Sequence, residues 1–215
     1  MRDAYYEQLQ GIVDDVVRLA ASVRRALSTA TLALLDGDGR MAELAIRGDD
    51  ALDQMTRDIE DRAITLMATQ QPVASDLRQL VVTLRMIADL ERMGDLAVHI
   101  AKVARMREPG RAVPDKLETK IRAMARVADS MIETASRVVA ERDIIAAAEL
   151  EREDDEMDHL RKDLFRKLLG SKWPHGVEAA VDIALLGRYY ERIGDHAVSM
   201  ARRLVFQVTG ERELI

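Results

Sequence analysis

Glu91-Arg92-Met93-Gly94-Asp95 returns one hundred residues later as Glu191-Arg192-Ile193-Gly194-Asp195. The flanks agree: Ala97-Val98 matches Ala197-Val198, and Ala101 matches Ala201. Upstream, Asp49-Asp50-Ala51-Leu52-Asp53 with Asp58 is echoed by Asp154-Asp155-Glu156-Met157-Asp158 with Asp163, at an offset of 105. Order, spacing and residue type recur together, so the chain is a tandem duplication of one unit, with a second connection five residues shorter than the first.

The unit is helical. The 215 residues hold only 4 Pro, 11 Gly and 3% aromatics, and are rich in Ala, Leu, Arg, Met and acids. Those residues lose little rotamer freedom in a helix, and the turns and aromatic alternation of a β-sandwich are missing. Helical periodicity runs over about 3–36, 40–68, 75–107, 115–141, 144–169 and 177–209. The breaks fall at Asp36-Gly37-Asp38-Gly39, around Pro72, at Glu108-Pro109-Gly110-Arg111-Ala112-Val113-Pro114, at Arg142-Asp143 and around Pro174. Short connections between long helices imply up-down-up bundles. The expected fold is all-α: six long helices in two tandem, sequence-related three-helix bundles, residues 1–108 and 115–215, joined by the loop 109–114.

Several function classes are excluded. There is no Cys, which removes disulfides, thiolate catalysis and zinc ribbons and suits a reducing cytoplasm. No stretch approaches the ~18 apolar residues of a membrane span, and residues 1–7 lack the apolar core of a signal peptide. A net charge of -6 argues against nucleic acid as a partner. No nucleophile elbow, P-loop or dinucleotide fingerprint occurs, so no enzyme activity is expected.

The chemistry lies in the carboxylates. Residues four apart share a helix face, which pairs Asp49 with Asp53, Glu91 with Asp95, Asp154 with Asp158, and Glu191 with Asp195. In an antiparallel hairpin, residues equally far from the turn lie side by side. Asp53 with Glu91 and Asp49 with Asp95 both centre on residue 72; Asp158 with Glu191 and Asp154 with Asp195 both centre beside Pro174. Each hairpin thus brings four carboxylates to one level if both pairs face inward. Four such charges repel, so protons or cations must compensate them. All-oxygen clusters suit hard cations such as Mg, Ca or Mn, and carboxylates also hold iron. The bland alternative is a solvated acidic stripe on each bundle. Glu178 with Asp182 is a further acidic pair, without a counterpart in the first half. Glu156-Met157-Asp158-His159 matches the Glu-x-x-His of ferritin-like iron bundles, but only once; an iron enzyme or storage bundle is the rival reading. His99 and His196 occupy unmatched positions and read as packed or exposed side chains.

The doubled Glu-Arg-x-Gly-Asp, the matching Asp-x-x-x-Asp helices and Gln71-Pro72-Val73-Ala74-Ser75-Asp76-Leu77-Arg78 resemble the PhoU family over nearly the whole chain. The resemblance implies two three-helix bundles and a non-catalytic regulator of phosphate uptake that represses the phosphate-starvation response. It implies metal ions (iron, zinc, manganese or magnesium) held by Asp49, Asp53, Glu91 and Asp95 in the first half and by Asp154, Asp158, Glu191 and Asp195 in the second. It also implies a cytoplasmic homodimer that links the ATPase subunit of the phosphate ABC transporter to the phosphate-sensing histidine kinase, reaching the membrane only through these partners. The second turn, Ser171-Lys172-Trp173-Pro174-His175-Gly176, departs from the pattern of the first.

Overall fold

A computed structural model describes residues 2–171 and 173–209. The described residues are helical nearly throughout: α1 Arg2–Asp36, α2 Gly39–Arg47, α3 Asp49–Gln70, α4 Ala74–Met106, α5 Asp115–Glu141, α6 Ile144–Leu168 and α7 Gly176–Thr209. The expected all-α architecture of two three-helix bundles is present. The helix expected over 40–68 is divided at Gly48 into α2 and α3. Glycine weakens a helix interior by about 1 kcal/mol against Ala. The break makes Asp49 and Asp50 the first residues of α3, where their charges meet the positive end of the helix dipole. Asp38 caps α2 by accepting from the backbone N–H groups of Arg40 and Met41.

The tight turn between α3 and α4 places Gln71 and Ala74 at φ 46 and 49, on either side of Pro72 and Val73. The second hairpin turns through Trp173, whose indole N–H donates to the Gly176 carbonyl at 2.7 Å. Lys172 of this turn lies outside the described residues.

In the first bundle α1, α3 and α4 pack together, with α2 against α1 and α4; in the second, α5, α6 and α7 do so. The halves join where α1 meets α5 and α4 meets α7, so α3 and α6 lie on opposite outer faces of an inner layer formed by α1, α4, α5 and α7. This explains why α4 is buried on more than one side: Leu80, Ile87, Leu90, Met93 and Ile100 are all inaccessible to solvent. Each such side chain contributes about 1.5–3 kcal/mol relative to exposure.

Helices α4 and α7 run antiparallel. Arg78 lies over the Phe206 ring, and Asp89 accepts from Arg203 and meets His196 and Ser199. Further along, His99 stacks on Tyr189, and Arg107 forms a two-bond bridge to buried Asp182. Ser199 on Asp89 and His99 on Tyr189 are equivalent places in the two repeats, offset by one hundred residues. The duplication is therefore written into the seam as a local two-fold. It puts Asp95 and Asp195 at similar heights on opposite sides of the molecule.

Candidate metal centres

Asp49 and Asp53 lie one turn apart at the start of α3; Glu91 and Asp95 do so in the middle of α4. All four are half-buried. Burial, followed by the charges of Asp53 and then Asp95, pushes the Asp49 carboxyl above the usual carboxylate range, with Lys102 opposing. The charge of Asp95 thus acts on Asp49 across the hairpin, in keeping with a register centred on residue 72. Gly94 permits the approach of the two helices. A Cβ on it would lie 3.2 Å from Leu52 Cδ1 and 3.9 Å from an Asp49 carboxylate oxygen.

The second half repeats this geometry on α6 and α7. Burial, then the charges of Asp195 and Asp158, push the Asp154 carboxyl up, and Arg202 opposes them. A Cβ on Gly194 would lie 2.9 Å from Met131 Sδ and 3.9 Å from an Asp154 oxygen. Lys102 and Arg202 are themselves one hundred residues apart. They are the cations sequence reasoning missed, although each stands one heptad beyond the aspartate of its repeated motif and the offset alone could have revealed them.

The two clusters differ in what surrounds the remaining acids. In the first, Arg92 reaches Asp95 at 2.7 Å. Asp53 and Glu91 have no ion pair among the described residues. In the second, Arg161 stands between Asp158 at 3.9 Å and Glu191 at 3.6 Å, Lys162 holds Asp158 at 2.9 Å, and Arg188 bonds Glu191. The bond from Lys162 is the main reason the Asp158 carboxyl lies below the usual range. Glu191 is buried and Asp195 exposed. Arg161 and Arg188 correspond in the first half to Thr56 and Ala88.

The donor chemistry fits a hard cation. Both clusters are carboxylate-only, and in each one aspartate, Asp49 or Asp154, is disfavoured as an anion by burial and then by its neighbours' charges. In the first cluster the buried Thr56 hydroxyl, two turns along the same face of α3 from Asp49, has no hydrogen-bond partner. Among the described residues no three His, Asp or Glu side chains are drawn together tightly enough to ligate an ion as they stand.

The histidines stand elsewhere. The His159 ring nitrogen Nδ1 meets the Asp155 carbonyl of its own helix, 2.6 Å away. His99 and His196 belong to the α4–α7 seam. The unmatched pair Glu178 and Asp182 is held by Arg107 and also ties α4 to α7.

A family model described as "PhoU domain" matches the chain twice, over residues 16–104 and 121–204. The chain belongs to the PhoU family. The two matches coincide with the two repeats. A Mycobacterium tuberculosis protein named phosphate-specific transport system accessory protein PhoU homolog 2 is 43% identical over 210 residues, covering 98% of this chain and 99% of that protein. A Clostridium acetobutylicum PhoU homolog with the same accessory-protein name is 32% identical, covering 98% and 97%. The crystal structure of PhoU from Pseudomonas aeruginosa superposes with a TM-score of 0.87 at 27% identity, covering 96% of this chain and all of that one. The PhoU phosphate transport regulatory protein from Streptococcus pneumoniae gives 0.88 at 26%, covering 98% of this chain and all of that one. No helix among the described residues of this PhoU-family chain is long and apolar enough to cross a membrane.

Proposed function

We propose that the protein is a non-catalytic accessory regulator of phosphate uptake that represses the phosphate-starvation response. It acts as a cytoplasmic, homodimeric adaptor between the phosphate transporter's ATPase subunit and the phosphate-sensing histidine kinase. The observation that carries this reading is similarity along almost the full length to proteins named as accessory to the phosphate-specific transport system.

The architecture supports an adaptor. The inner layer of α1, α4, α5 and α7 packs the two halves together, and it leaves α3 and α6 on outer faces, open to partners. Each hairpin also exposes a short apolar stripe at spacing four: Val73, Leu77 and Val81 on the first, Val177, Val181 and Leu185 on the second. These stripes run along α4 and α7 toward the carboxylates.

Metal ions fit this reading as structural ligands. Asp49, Asp53, Glu91 and Asp95 would hold one centre, and Asp154, Asp158, Glu191 and Asp195 the other. A bound metal supplies positive charge that cancels the carboxylate repulsion. The carboxylates fasten α3 to α4 and α6 to α7, and so fix the surfaces offered to partners.

Deletion of the gene tests the reading. A phosphate-starvation reporter should become constitutive in phosphate-rich medium and be silenced again when the gene is restored. A reporter that stays fully repressed in a strain without a second copy would contradict it.

A further inference from the structure

The seam between the halves carries a second feature, on the side formed by α1 and α5. There an open groove of about 540 Å³ is lined by Arg24 and Arg25 of α1 and Arg122 and Arg126 of α5, with Ser28 and Thr31 between them. Among the described residues, Asp129 is the only acid in its lining. Glu133 and Glu118 at its margins pair with Arg24 and Arg122, so the positive charge left over in the trough is that of Arg25 and Arg126.

The four arginines are not equivalent. Arg24 is a strut: it donates two bonds to Asp129, at 2.8 and 2.9 Å, and one to Glu133, and so ties α1 to α5. Arg122 bonds Glu118 of its own helix at 2.9 Å. Arg25 donates only to the Ser22 hydroxyl, at 2.7 Å, and Arg126 makes no hydrogen bond or ion pair among the described residues. Both are exposed. Two uncompensated guanidiniums thus stand on opposite walls, one from each half. Leu27 and Ala125, both buried, form an apolar floor that keeps water from one side and strengthens ionic attraction above it.

A guanidinium presents a planar fork of donors that matches phosphate oxygens, and the exposed Ser28 hydroxyl adds an adaptable donor, whereas that of Thr31 is buried against the Tyr190 hydroxyl. A trough longer than one tetrahedral anion, with cations on both walls, suits linked phosphates. No aromatic side chain lines it, so nothing is provided to stack a nucleobase.

We propose that the α1–α5 groove binds a multivalent phosphoanion, an oligophosphate chain, gripped by Arg25 from the first half and Arg126 from the second. Because the walls belong to different halves, the bound anion staples them together. The site is independent of the carboxylate clusters and of the adaptor role.

The test is calorimetric titration of metal-free protein with inorganic tripolyphosphate, orthophosphate and ATP, alongside melting curves. Tripolyphosphate should bind more tightly than orthophosphate and weaken with added salt. It should raise the melting temperature. The double variant Arg25→Ala with Arg126→Ala should melt unchanged without ligand, lose about tenfold or more in affinity and lose the ligand-induced rise. ATP binding within a few-fold of tripolyphosphate would fit recognition of the phosphate chain alone. Absence of tripolyphosphate binding at millimolar concentration would overturn the proposal, as would equal binding by the double variant. ATP binding more than about tenfold tighter than tripolyphosphate would also overturn it, by showing a base pocket that the groove does not contain.

Discussion

The carboxylate clusters of the two halves descend from one pattern, yet their electrostatic surroundings differ. Around Asp49, Asp53, Glu91 and Asp95 stand two cations, Arg92 and Lys102. Around Asp154, Asp158, Glu191 and Asp195 stand four: Arg161, Lys162, Arg188 and Arg202. The backbone settings differ as well. Asp49 begins helix α3 after the break at Gly48, whereas Asp154 lies inside the unbroken α6. The first cluster has more uncancelled negative charge, so on the proposed reading an external cation matters more there than in the second. The second carries much of its compensation in its own sequence. Two sites with the same acids need not hold metal equally.

Arg161 offers the strongest way to sharpen that difference. Replacing it by Gln removes the cation between Asp158 and Glu191. Manganese(II) affinity of the second half, followed by titration, should then rise by on the order of tenfold, roughly the effect of one nearby charge. An unchanged affinity would mean that arginine does not compete with metal there.

A smaller effect is expected at Asp49. Its folded-state carboxyl lies above the ordinary value of 3.8, so at neutral pH the metal-free fold bears the cost of an ionised group that burial and neighbours disfavour. That cost disappears as pH falls through the raised folded value toward 3.8. Asp49→Asn should therefore raise the melting temperature of metal-free protein at pH 7 by roughly 1–2 °C. The gain should shrink on acidification and reverse when manganese(II) is added. A thermal-melt series over pH checks all three signs. A gain independent of pH would show that packing, and not charge, was responsible.

The mutual charge influence of Asp49 and Asp95, and of Asp154 and Asp195, agrees with the register expected from the sequence, because an antiparallel hairpin has one free parameter, its turning point, and the proline-containing turns supply it. The helical layout was legible for a similar reason: periodicity and breakers are local. The division at Gly48 was not, since one glycine within a periodic stretch is compatible with a continuous helix. The arginines that cross the second cluster were also hidden. Arg161 and Arg188 break the repeat, and a search for recurring residues passes over them. Glu178 and Asp182 have no counterpart in the first half, so the repeat gives them no role; in the structure they anchor Arg107 across the seam. The α1–α5 groove depends on how two bundles dock, and local pattern carries no record of that.

The most direct measurement is the bound manganese(II) of three purified proteins, by elemental analysis and titration: the wild type, Glu91→Gln with Asp95→Asn, and Glu191→Gln with Asp195→Asn. These near-isosteric changes remove charge and leave the helices in place. The first variant should lose the tightly held metal and the second only a weaker fraction, with all three equally helical. Unchanged metal content in the first variant, or equal losses in the two, would contradict a first centre that depends on metal and a second that supplies its own cations.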